Sequence, residues 1–224
     1  MDTNLHLDFG QRLSVQTKAM DWTPSPAVGV WRKLLEREDA ESGRATSVVR
    51  YAPGSSFASH VHDRGEEIFV LNGTFEDEYG RYQAGTYVRN PPASRHAPCS
   101  SLGCELFVKL GHFATGDDER IVIDTTVQPW LPGLVEGLRV MPLAEFGGEH
   151  TALVRWAPNT YFNRHRHWGG EEIFVLDGVF SDEHGHYPEG SWLRSPHNSQ
   201  HEPYSREGCT ILVKVGHLPE VHAV

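Results

Sequence analysis

Residues 60–67 read HVHDRGEE, and residues 165–172 read HRHWGGEE. In a β-strand successive side chains alternate faces, so His60 and His62 point the same way, as do His165 and His167. Two carboxylates follow each pair. Adjacent glutamates on a strand cannot share a face. The spacing to the histidines and to the glycine that follows selects Glu66 and Glu171 for the histidine side. Glu67 and Glu172 then face away, towards Arg89 and Arg194. A third histidine follows at a fixed distance: Gly85, Pro91 and His96 in the first stretch, Gly190, Pro196 and His201 in the second. His60, His62, Glu66 and His96, and likewise His165, His167, Glu171 and His201, each form a three-imidazole, one-carboxylate set. Such a set suits a borderline divalent ion: Zn2+, Fe2+, Ni2+ or Mn2+. A single HxH pair is a common coincidence. Its recurrence with the carboxylate and the distant histidine is what makes metal binding the expectation.

The repetition reaches well beyond these ligands. Residues 46–112 align without a gap to residues 151–217. TSVVRYAP answers TALVRWAP, EEIFVLNGTFEDEYGRY answers EEIFVLDGVFSDEHGHY, and GTYVRNPPASRHAP answers GSWLRSPHNSQHEP. Roughly half the positions are identical, far more than shared composition would give. Upstream, Trp22 and Gly29 correspond to Trp130 and Gly137. The chain therefore divides into residues 1–115 and 116–224. Each unit is a series of short runs rich in Val, Phe, Tyr and Leu, punctuated by Gly and Pro turns, so an all-β sandwich or small barrel is predicted twice. Only VWRKLLERE at 30–38 has a helical rhythm. Its counterpart contains Pro142, so a strand is predicted in both places.

The formal net charge is −10, and no basic stripe is visible. Nucleic acid and anionic membrane are not expected partners. The N-terminus lacks a cationic, apolar leader, and no apolar run is long enough to span a bilayer. Three cysteines without a CxxC pair point to a reducing, cytoplasmic setting, with the thiols packed as small apolar groups.

The spacing resembles the two cupin motifs, G(x)5HxH(x)3–4E(x)6G and G(x)5PxG(x)2H. Gly54 fits the opening glycine in the first copy, where the second has Asn159. Ala93 and Asn198 stand where the second motif has its internal glycine. The longer signature around GEEIFVLxGxFxDExGxY is similar to the ChrR-like cupins, which occur in ChrR-type anti-sigma factors and in stand-alone proteins. The resemblance covers nearly the whole chain twice. It implies a duplicated cupin, two jelly-roll barrels with one divalent metal each. ChrR-type anti-sigma factors also carry a helical zinc domain that clamps the sigma factor. Here the residues before the first barrel hold His6 but no cysteine. A sigma factor is therefore not an expected partner.

Other repeated residues have structural readings. Arg50 and Arg155, Asp77-Glu78 and Asp182-Glu183 are expected in ion pairs that hold hairpins. Phe75, Phe180, Tyr82 and Tyr187 are expected in the cores. His112 and His217 are expected in loops rather than as ligands. Beside the ligands, Asp63-Arg64 in one copy answers Trp168-Gly169 in the other, so the two sites are expected to differ in ligand preference. The resemblance implies a small-molecule or oxidant-responsive regulatory or binding protein, with a homodimer as a further possible assembly. The alternative is an Fe2+-dependent dioxygenase acting on a small oxygenated organic substrate.

Overall fold

The computed structural model describes residues 4–39 and 43–220. Among them the chain is almost wholly β, and its one helical element is the single 3-10 turn Thr17–Ala19. Two compact units are present. The first is Met20–Gln128 with the described residues before Asp8. The second is Pro129 onward together with Asp8–Ala19.

In the first unit the main antiparallel path runs Ile121–Asp124, Thr86–Asn90, Glu66–Asp77, Cys104–Leu110, Ala45–Tyr51, Val30–Arg37 and Thr23–Pro24. The second repeats it with Leu13–Gln16, Ser191–Ser195, Glu171–Asp182, Cys209–Val215, Glu149–Trp156, Leu138–Phe146 and Leu131–Pro132. The compact units thus depart from a division at 115/116. Strand Ile121–Asp124 pairs with Thr86–Asn90, which draws it into the first unit. Strand Leu13–Gln16 pairs with Ser191–Ser195, which draws the segment 8–19 into the second.

Alternation fills each interior. Val30, Val49, Tyr51, Ile68 and Phe75 pack in the first core, and Leu138, Trp156, Ile173, Val175 and Phe180 in the second. The tyrosines Tyr82 and Tyr187 lie in these cores too. Cys104 and Cys209 are core residues, and all three thiols are free. Burial pushes the Cys104 thiol up to about 11 and Cys209 up to about 12, which keeps both protonated.

The long central strand of each unit bulges at Leu71 and Leu176, where the pairing register shifts, and Gly73 and Gly178 follow two residues on (φ 73° and 72°). A Cβ at either would meet the carbonyl oxygen of Gly103 or Gly208 at 2.1 Å, so only glycine fits. The segment at 30–38 is strand rather than helix. Its bulge between Leu34 and Glu36 recurs between Pro142 and Ala144. A bulge is one of the few places where a strand accepts proline.

Candidate metal centres

A short antiparallel ladder builds each centre. Strand His60–His62 pairs with Ser94–His96 so that His96 lies opposite His60. His165–His167 pairs with Ser199–His201 in the same register. Alternation puts the first pair of imidazoles on one face, and the ladder brings the third beside them. Ligand nitrogens of His60, His62 and His96 all lie within 4.8 Å of one another, as do those of His165, His167 and His201.

A tight turn at Gly65 or Gly170 (φ 76° and 70°) then returns the chain, and the long strand starts at Glu66 or Glu171. The Glu66 carboxylate lies 3.5 Å from His62 Nε2 and 3.4 Å from His96 Nε2. Glu171 lies 3.5 Å from His167 and 3.6 Å from His201. Asn90 Nδ2 donates to Glu66 at 3.1 Å. The neighbouring glutamates turn the other way. Glu67 meets Arg89 at 3.5 Å, and Glu172 accepts from Trp192 Nε1 at 2.8 Å and lies 3.1 Å from His217 Nε2.

The imidazoles are oriented from behind. A carbonyl only accepts, so His60 Nδ1 donates to Ala58 O at 3.0 Å and His165 Nδ1 to Asn163 O at 2.9 Å. His96 Nδ1 faces Asp77 Oδ2 and His201 Nδ1 faces Asp182 Oδ2, both at 3.4 Å. Protons held on Nδ1 leave the Nε2 lone pairs aimed at the centre, as in most metal-binding histidines. The Nε2 atoms of His62 and His96 are 2.9 Å apart, and so are those of His167 and His201. Two nitrogens at about 2.1 Å from one ion and at right angles would stand about 3.0 Å apart. The donor set therefore fits a divalent cation.

Electrostatics keep His62, His165 and His167 neutral and metal-ready. Burial lowers His62 against the pull of Glu66, and burial with His201 and His165 nearby takes His167 down to about 3. Burial acts the same way on His96 and His201, but Asp77 and Asp182 outweigh it and leave both raised. Burial raises the Glu171 carboxyl.

Sequence reasoning assigned Asp77 and Asp182 to hairpins alone. One oxygen of each does hold a turn, accepting from Tyr79 N and Gly80 N or from His184 N and Gly185 N. The other oxygen supports the third histidine, and Tyr82 or Tyr187 donates to the same carboxylate at 3.0 Å. Their repetition in both copies was the available signal. The two supports differ. Arg12 pairs directly with Asp182, whereas the corresponding Arg120 donates to Tyr82 at 3.1 Å. Arg50 forms its expected ion pair with Glu105, at 2.7 Å, and also lies over Trp22. Arg155 lies over Trp130. His112 and His217 are buried and outside the histidine clusters. Asp63, Arg64 and Trp168 do not line the cavities beside the centres.

The ChrR cupin-like domain family matches residues 10–114 and again 118–219. The chain belongs to this family. No curated protein matches the sequence. A candidate dioxygenase from Nostoc punctiforme superposes with a TM-score of 0.78 at 17% identity, over 95% of this chain and 85% of that one. A candidate glyoxylate-induced protein from Pseudomonas aeruginosa does so with a TM-score of 0.74 at 12% identity, over 95% and 92%. An oxalate decarboxylase from Bacillus subtilis, described by its Mn(II) centres, gives 0.63 at 14% identity, over 93% and 78%. At these identities the likeness is one of fold. Among the described residues of this ChrR cupin-like chain, no helix is long and apolar enough to cross a membrane.

Proposed function

We propose that each barrel holds one divalent metal ion, through His60, His62, Glu66 and His96 in the first and His165, His167, Glu171 and His201 in the second. The chain would then be a small-molecule binding or regulatory protein whose ligand enters the barrel beside the ion. The convergence of the Nε2 atoms, with Nδ1 tied to fixed acceptors behind, is the observation that carries this reading. Four protein ligands on a six-coordinate ion leave room for a small molecule, and the ion supplies Lewis acidity there. The residues around it supply the rest: Glu66 balances charge, Asp77 holds His96 in one tautomer, and apolar walls exclude water.

A dioxygenase reading, with Fe2+, is favoured by one feature. The first centre opens on a mostly apolar cavity of about 410 Å³ lined by Val49, Ile68, Phe75 and Leu106. That size suits a small organic substrate. Oxygen uptake by the Fe2+-loaded protein with candidate substrates separates turnover from binding.

Metal analysis tests the shared premise. Two ions per chain are expected after reconstitution. Glu66→Gln weakens retention at the first centre, whereas Glu67→Gln leaves retention intact and lowers stability by about 1–3 kcal/mol, because buried Arg89 loses a charged partner. The reverse order of retention would place the wrong glutamate at the ion.

A further inference from the structure

The two cavities differ at one inward position. Along Val30–Arg37, Val30 belongs to the core, so alternation turns Arg32 inward as well, and it lines the first cavity with His60, His62 and Glu66. In the second barrel the corresponding strand turns Leu138 and Val140 inward, and Val140 lines that cavity at the place of Arg32. The first cavity measures about 410 Å³ and the second about 210 Å³. Among the described residues, no lysine or arginine lines the second. Tyr51 of the first is answered there by Trp156, whose Nε1 is buried with no hydrogen-bond partner among the described residues.

We propose that the first barrel is a receptor for a small organic monocarboxylate, held by the Arg32 guanidinium with its apolar body along the cavity wall, and that the second barrel is not. The inference rests on reading the first cavity as the ligand site of the metal centre. A guanidinium presents paired N–H donors that match a carboxylate, and the contact is strongest where apolar walls exclude water. The remaining wall contributes Val49, Ile68, Phe75, Leu106 and Val108, which suit an alkyl body of a few carbons. The second cavity offers an indole donor but no lysine or arginine, and its smaller volume suits an uncharged ligand with one acceptor.

The test is calorimetry on the full chain with its metal content measured in parallel. The probes are acetate, butanoate and 4-methylpentanoate, with uncharged 4-methylpentanamide as the matched control. A longer alkyl body is expected to tighten binding, one carboxylate per chain, with the amide at least about tenfold weaker. Arg32→Val, which copies the second barrel, should weaken the carboxylate by at least about tenfold while two ions remain bound, and Arg32→Lys should recover part of the loss. The comparison of acid with amide on the unaltered protein stands even if a variant fails to fold. Equal binding of acid and amide, equal binding by Arg32→Val, or no carboxylate binding by fully metal-loaded protein would overturn the proposal. Carboxylate binding that depends on Arg32 in protein that takes up no metal would refute the metal centre and leave the carboxylate site standing.

Discussion

Ala93 and Asn198 both sit at φ 64°, the left-handed backbone that the internal glycine of the cupin motif would adopt freely. A side chain there costs on the order of 1 kcal/mol, and asparagine tolerates it better than alanine. Ala93→Gly should therefore raise stability by about 1 kcal/mol, and Asn198→Gly by less, in chemical denaturation. A second expectation concerns pH in chelator-treated protein. His167 titrates near 3 when folded and near 6.5 when unfolded. Between those values only the unfolded chain carries the proton, so stability climbs with pH by up to about 1.4 kcal/mol per unit. His62 and His165, also lowered, add the same sign. His96 and His201 are raised, so their contribution is complete below about 6.5 and fades as pH passes their folded values. The melting temperature should peak near pH 6.5, and a steady rise from about pH 5 to about 8 would contradict the raised pair. The ligand positions were legible because a period of two fixes which side chains share a face. Asp77 was less so. It lies 19 residues from His96 in the chain, and only the folded hairpin brings the two together. Arg32 is not legible from the ligand motifs, because it reaches the cavity from a different strand, far from the histidines in sequence.

At the level of elements, the sequence announced short strands and glycine turns, and Pro142 correctly argued against a helix at 30–38. What it left open was the partner of each outer strand, because repetition identifies copies but does not say which edge a strand joins. Leu13–Gln16 and Ile121–Asp124 occupy matching places in different units. The arginine just before each donates to the core tyrosine, Tyr187 or Tyr82, but only Arg12 also pairs with the aspartate, and this asymmetry is measurable. Arg12 is charge-paired with buried Asp182, so Arg12→Ala should cost about 2 kcal/mol. Arg120 reaches the Tyr82 hydroxyl instead, so Arg120→Ala should cost about 1 kcal/mol or less. Urea denaturation of the two variants checks the order, and equal losses would mean that the Asp182 ion pair contributes nothing beyond a neutral hydrogen bond.

For the molecule as a whole, the compact units fix which pieces of chain can stand alone. A fragment of residues 1–115 lacks strand Ile121–Asp124 and also Asp117, whose carboxylate takes both terminal nitrogens of buried Arg89, one at 2.6 Å. Removing the closer of that guanidinium's two carboxylate partners, with Glu67 left at 3.5 Å, costs about 3 kcal/mol, a large share of a small domain's stability. Residues 20–128 should melt cooperatively as a fragment, and residues 1–115 should not. Calorimetric traces of the two decide it, and matching transitions would show that the strand and the ion pair are dispensable. The same arrangement has a consequence for synthesis. The segment 8–19 is made early, but Leu13–Gln16 pairs with Ser191–Ser195, which is made only after the whole first unit. At cellular translation speeds the wait is roughly 10–35 s. Throughout that interval the nascent chain carries an orphan edge strand ahead of a barrel that can already close. The second unit is thus started before most of the first is made and finished after it, and a chaperone that shields this early strand would act on the growing chain before the second barrel exists.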